Sequence, residues 1–185
     1  MTSLTEQPKR AAFRAMSEGT AEDWAIIRSA PVSVPLCESV LEQLRRLGDD
    51  PGGFAVDRLT HSLQSATLAE RAGRSDLYVL AALLHDIGDN LAPDNHSELA
   101  AAVLRPHLPD DLHWMVKHHG VFQRYYFGHF LGEDRNVRER YRGHEYFDLT
   151  EEFCEEFDQR AFDPDFPTNP IEHYEPLVRE LIKSE

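Results

Sequence analysis

The sequence predicts an all-α fold. Apolar residues recur at helical spacing in segment after segment, helix start and stop signals separate those segments, and no stretch alternates apolar and polar residues as a half-buried strand would. At 185 residues, with 41% hydrophobic and 28% charged content, the chain suits one compact soluble domain with a sizeable core.

Residues 1–19 read as a weakly specified leader with a short helical piece from Pro8 to Met16, ended by Gly19. Thr20 with Asp23 has the pattern of a capping box, opening a helix through Trp24, Ile26 and Ile27 that stops before Pro31. Leu36, Val40, Leu44 and Leu47 give an amphipathic helix up to Gly48, followed by a loop at 49–53. Val56, Leu59, Leu63, Ala66 and Ala69 mark the next helix, closed by Gly73, and Ser75 can cap the one after it. Asp94 or Asn95 can cap a helix carrying Leu99, Ala100, Val103 and Leu104 up to Pro106. Pro109 starts a helix with Leu112, Met115, Val116 and His119 on one face, just before Gly120. Residues 122–147 hold an aromatic cluster and an arginine-rich run, expected to be irregular or partly helical. Thr150 or Asp148 then caps a helix whose Cys154, Phe157, Asp158 and Ala161 share a face. A proline-rich stretch at 162–170 cannot be helical, and a last helix carries Leu177, Val178, Leu181 and Ile182. Residues 1–53 are expected to form N-terminal helices that pack on or cap a core domain of residues 54–185.

The formal charge of −14 opposes non-specific attraction to nucleic acid and to anionic membranes. No apolar run approaches membrane-spanning length, and the N-terminus has neither a basic start nor an apolar core. No signal peptide is therefore expected, and the expected location is the cytoplasm. Cys37 and Cys154 sit among apolar helical positions and read as buried free thiols.

The stretch Leu80 to Asp89 is apolar on every side until it ends in His85-Asp86, so two ionisable groups are delivered to the end of a buried helix. Alone, the pair reads as a core histidine and a turn-capping aspartate. Yet His61, His96, His119 and Asp158 also fall in or beside apolar helical faces. Four imidazoles and two carboxylates suit a pair of cations such as iron or manganese, and Asp86 can bridge them because a carboxylate has two oxygens. The set contains no thiolate, which argues against structural zinc.

His61, the adjacent His85-Asp86 and the distant Asp158 resemble the signature of the HD-domain superfamily, over roughly residues 54–182. His96 and His119 are similar to the extra histidines of its dinuclear branch. Val56 to Ala66 and Phe157 to Pro164 resemble the phosphonate-cleaving HD oxygenases, relatives of myo-inositol oxygenase. That resemblance implies a helical bundle with an Fe(II)/Fe(III) pair that uses dioxygen on a substrate C–H bond. It implies one iron on His61, His85, Asp86 and Asp158, and the other on Asp86, His96 and His119. It also implies positions left open for a hydroxylated substrate.

Three basic residues of the phosphonate oxygenases are replaced here by Asp89, Gln123 and Glu155, and their gating tyrosine and glutamate by Pro51 and Phe54. A different substrate follows: an amine, a neutral polyol, or an anion gripped by Arg124, Arg135 or Arg138. Candidate substrate contacts are Asp89, Gln123, Tyr126 and Arg138, although the arginine run also has the pattern of a solvated, salt-bridged surface and Tyr125 and Tyr126 that of core or pocket wall. His118 reads as a neighbour of the ligands, a pocket donor or an exposed residue. The expected function is a diiron oxygenase acting on a small polar metabolite. The alternative is a dinuclear phosphohydrolase using Mn or Mg.

Overall fold

The computed structural model describes residues 9–49 and 52–183. Among them there is no strand. The α-helices are α1 (Ala21–Ser29), α2 (Leu36–Arg46), α3 (Arg58–Arg71), α4 (Asp76–Leu84), α5 (His96–Leu104), α6 (Asp110–Phe127), α7 (Phe147–Phe153) and α8 (Ile171–Leu181). Short 3-10 segments and one π-helical turn, Cys154–Asp158, join them. None of the described helices is long and apolar enough to cross a membrane.

The chain divides into two compact units after Pro35. This differs from the division at residue 53 read from sequence, because Val40, Leu41 and Leu44 of α2 are buried in the same apolar cluster as the residues of α3 and α4. In the smaller unit, the Thr20 hydroxyl accepts from the Asp23 N–H at 3.2 Å and the Asp23 carboxylate accepts from the Thr20 N–H at 3.0 Å, which completes the expected capping box of α1. The helix expected over 8–16 is corrected. Pro8 lies outside the described residues, 9–15 are not helical, and Met16–Glu18 form a single 3-10 turn. Ala12 N–H donates instead to Asp23 and the Phe13 ring packs on Trp24 at 5.7 Å, so this segment is tied to α1 rather than to a helix of its own.

In the larger unit, α4 is the central element: every residue from Tyr78 to Leu84 is buried, as the all-round apolar pattern requires. It packs on α3, α6 and α8, while α5 packs on α6 and α6 on α7. Ser75 caps α4 by accepting from the Tyr78 N–H. Helix α3 begins at Arg58, not Val56, because Asp57 is its cap and accepts from the Thr60 N–H at 2.7 Å. Helix α6 continues through Gly120 to Phe127. Helix α7 opens at Phe147, ahead of both expected caps; the Thr150 hydroxyl donates back to the Tyr146 carbonyl at 3.0 Å instead of capping. Arg179 joins Glu38 at 2.7 Å, and Arg45 pairs with Glu175, so α8 closes over α2. Cys154 is a buried free thiol as expected, whereas Cys37 is only half-buried.

Leu83 has no exposed surface at the middle of the bundle. Leu83→Ala is expected to cost about 2–5 kcal/mol in a denaturant titration, from lost apolar contact and the cavity left behind.

Candidate metal centre

Helix α3 places His61 one turn from its start, and His85 is the C-cap of α4, with Asp86 next in the turn beyond it. His96 opens α5, His119 lies in the middle of α6, and Asp158 ends the π-helical turn. The π-helical turn continues directly from α7, the kind of local widening of a helix often found at functional sites. The six side chains picked from sequence are brought together. His61, His85, His119 and Asp158 are buried, Asp86 is 7% exposed, and His96 sits at the rim.

Each of the four imidazoles points its Nδ1 at a backbone carbonyl: His61 at Ala161 (3.0 Å), His85 at Ala82 (2.8 Å), His96 at Pro93 (3.1 Å) and His119 at Val116 (2.7 Å). A carbonyl only accepts, so Nδ1 carries the hydrogen and the Nε2 lone pair faces inward. Those Nε2 atoms confront carboxylate oxygens and each other. Asp86 Oδ2 lies 3.4 Å from both His61 and His85, whereas Oδ1 lies 3.3 Å from His96 and 3.0 Å from His119. Asp158 Oδ1 is 3.3 Å from His61, and the Nε2 atoms of His61 and His85 are 3.2 Å apart. Lone pairs facing lone pairs repel unless positive charge lies between them.

A cation meets that need better than protons do. Burial alone would lower the pKa of His61, but Asp158 and Asp86 outweigh it and raise it to about 9. His85 is also raised against its burial, by the charge of Asp86 and the bond to Asp158. Two protonated Nε2 atoms cannot face each other at 3.2 Å, so protons cannot satisfy both rings at once. Burial would raise the pKa of the two carboxylates, but the surrounding histidines hold both below the usual range. His119 goes the other way, lowered by burial despite Asp86, and stays a neutral ligand. Asp158 Oδ2 is buried with no hydrogen-bond partner, an orphaned acceptor on a carboxylate whose other oxygen faces the cluster. Donor atoms about 2.1 Å from one ion lie roughly 3.0–3.4 Å from each other, close to the spacings seen here. The residues therefore fit metal: His61, His85 and Asp86 form one candidate triad, and Asp86, His96 and His119 another.

Residues that sequence reading missed hold these ligands in place. Gln64 donates to the Asp163 carbonyl at 2.6 Å and accepts from its N–H at 3.2 Å, pinning the loop whose Ala161 carbonyl orients His61. The Phe162 ring stacks on His61 at 4.4 Å. Gly88 lets α5 approach: a Cβ there would meet the His96 carbonyl at 3.0 Å and a Leu99 methyl at 2.9 Å. None of these contacts leaves a periodic trace in the sequence.

Beside the cluster lies a cavity of about 120 Å³, lined by Phe54, Arg58, Asp89, Gln123 and Phe162 together with His61, Asp86 and His96. A wider cavity of about 810 Å³ shares His96 and Gln123 and is bordered by Lys117, His118, Arg124 and Arg140. Gln123 donates to Asp158 Oδ1 at 2.8 Å, so it orients a ligand as well as lining the cavity. Asp89 pairs with Arg58. Tyr126 and Arg138, expected as substrate contacts, do not line the small cavity: Arg138 is buried, 3.0 Å from Glu151, with its guanidinium over the Tyr125 ring. The Arg135 guanidinium also lies on Tyr125, and Arg124 pairs with Glu133 at 2.9 Å. Glu155 is exposed, and Pro51 lies outside the described residues. His118 donates to the Trp114 carbonyl at 2.9 Å and stacks on that indole.

A family model for the HD domain matches residues 58–160, from the start of α3 to just past Asp158. The chain belongs to the HD-domain family. A relative is the [1-hydroxy-2-(trimethylamino)ethyl]phosphonate dioxygenase (glycine-betaine-forming) of Leisingera caerulea, 33% identical over a 92-residue alignment that covers 44% of this chain and 47% of the relative. The chain thus matches about half the length of that curated protein. Within this HD domain, the helical bundle and its histidine–aspartate cluster account for each other: the helices exist to bury the ligands, and the ligands explain polar groups in the core.

Metal binding must displace the proton that His61 holds up to about 9. The ion-free fold is favoured by that proton below the unfolded value near 6.5, and the gain disappears as pH rises to about 9. The increase in melting temperature on adding metal is therefore expected to grow between pH 6.5 and 9, as scanning calorimetry of loaded and stripped protein would measure. Gly88→Ala is expected to weaken metal affinity about 10–100-fold by displacing His96, in a chelator-competition titration, while circular dichroism stays helical.

Proposed function

We propose that this chain is a non-haem diiron oxygenase acting on a C–H bond of a small polar metabolite. The observation that carries the reading is the division of Asp86, whose two oxygens face different histidine pairs in a buried, thiolate-free donor set. Imidazole and carboxylate donors suit iron, and a carboxylate shared in this way suits two ions. The dioxygenase activity of the relative supports the choice of an oxidative over a hydrolytic reaction.

His61, His85, Asp86 and Asp158 would hold one ion, and Asp86, His96 and His119 the other. An iron pair there supplies dioxygen activation. The protein supplies the shaped, nearly dry seat. Phe162 stacks on His61 at 4.4 Å and Phe54 packs on Phe162 at 4.9 Å, so aromatic rings form the wall of the cavity beside the first seat. His96, at the rim, leaves the second seat open toward both cavities, where a hydroxylated substrate can enter. At about 120 Å³ the adjoining cavity is well below the ~300–1,000 Å³ of a drug-sized pocket, which fits a metabolite of few heavy atoms. Its partners are then that metabolite and dioxygen, and the net charge of −14 disfavours nucleic acid.

Protein prepared without oxygen is expected to hold about two irons per chain by plasma emission analysis, and to give a mixed-valent electron paramagnetic resonance signal after partial oxidation. Asp86→Ala should lose both ions; retention of both would show that Asp86 does not bridge. Phosphate-ester hydrolysis with manganese or magnesium, without oxygen uptake on any candidate metabolite, would overturn the oxygenase in favour of a hydrolase.

A further inference from the structure

Gln123 lies one turn beyond His119 on α6, so one face of that helix carries both a ligand and an amide. The side chain is half-buried and borders both cavities. Its bond to Asp158 decides how the amide is turned. A carboxylate only accepts, so the contact of 2.8 Å to Asp158 Oδ1 takes an N–H, and the amide oxygen is left on the other arm of the group. Among the described residues that Oε1 has no hydrogen-bond partner, yet it is not sealed from solvent as Asp158 Oδ2 is. The open acceptor therefore faces the cavities that the side chain borders. Its polar neighbours in the small cavity are already engaged. Asp57 caps α3, accepting from the Thr60 N–H at 2.7 Å and the Thr60 hydroxyl at 3.0 Å, and Asp89 pairs with Arg58. His61 and His96 spend Nδ1 on carbonyls and turn Nε2 to Asp86.

Resting on the reading of this cavity as the substrate site of an oxygenase, we propose that Gln123 determines specificity: its amide oxygen receives a hydrogen-bond donor of the substrate, an ammonium or a hydroxyl, and turns away an anionic group. An ionised carboxylate at that point would set lone pairs against a lone pair and leave Oε1 desolvated without a donor. An ammonium or a hydroxyl satisfies it. The same amide joins substrate to ligand. A donor on Oε1 polarises the group and strengthens its N–H bond to Asp158, so the ligand is held more firmly when a matching substrate is present.

The test is isothermal titration under argon, so that no turnover occurs, on protein loaded with iron or, should iron not bind, with manganese. The probes are 2-aminoethanol, ethylene glycol and glycolate, which share a hydroxyl end and carry an ammonium, a hydroxyl or a carboxylate at the other. Each variant's ratio of affinities is compared with that of the wild type, so direct contact of a probe with the metal cancels. Gln123→Lys keeps a donor for Asp158 but presents N–H groups to the cavity in place of the oxygen. It is expected to retain its metal and to shift the ratio of 2-aminoethanol to glycolate toward the acid by at least about tenfold. Gln123→Met, titrated at saturating metal, removes the acceptor without adding charge, and is expected to weaken 2-aminoethanol about tenfold without weakening glycolate. A loss for 2-aminoethanol alone identifies the ammonium as the donor, and a loss shared by ethylene glycol shows that a hydroxyl serves as well. Because added charge by itself would draw glycolate to the Lys variant, Gln123→Met decides: unchanged ratios there, or equal weakening of all three probes, would overturn the assignment. An unshifted ratio in Gln123→Lys would overturn it too. Failure of the oxygenase reading shows separately, as missing iron or absent oxygen uptake, and leaves these ratios intact.

Discussion

Four buried or half-buried imidazoles each spend their Nδ1 hydrogen on a backbone carbonyl, and the remaining features of the centre follow from that. Once Nδ1 is committed, each ring has only a lone pair to offer the interior, and two carboxylates present only lone pairs in return. Such an arrangement is costly in a protein core unless cations occupy it. The clustered donors therefore suit metal. The central helix is apolar on every side up to the residue where the ligands begin, so the donors are fixed by the same packing that stabilises the bundle.

Much of this was legible in the chain. Periodicity found the helices, and placing His61, His85, His119 and Asp158 on apolar faces picked out groups that the fold clusters, because a titratable group on a buried stripe is rare enough to signal itself. His96 was legible by its place at a helix start. The limits of elements were less so. Gly120 looks like a stop, but glycine inside a helix costs only about 1 kcal/mol relative to alanine, and the apolar contacts of Val116 and Phe122 carry α6 through it. The π-turn before Asp158 leaves no compositional mark.

What sequence could not supply were the polar contacts between distant segments. Gln64 and Asp163 are 99 residues apart and Arg58 and Asp89 are 31 apart, and no rule of spacing joins either pair. Tyr126 and Arg138 were drawn toward the site by their chemistry, yet Arg138 is absorbed by Glu151 and the Tyr125 ring. Substrate recognition is the layer least visible in a single chain, since it depends on which side chains the fold turns toward one small cavity.

The ring-orienting bonds differ in reach. For His85, His96 and His119 the accepting carbonyl lies three residues upstream, within the same turn of chain, whereas His61 relies on Ala161, 100 residues away. Three rings are thus aimed by local geometry as soon as their own turns form. The fourth is aimed only when the segment carrying Asp158 has returned to α3. Orienting His85, His96 and His119 therefore needs only their own turns, whereas orienting His61 needs two segments 100 residues apart to meet. The aim of His61 reports that the chain has closed upon itself.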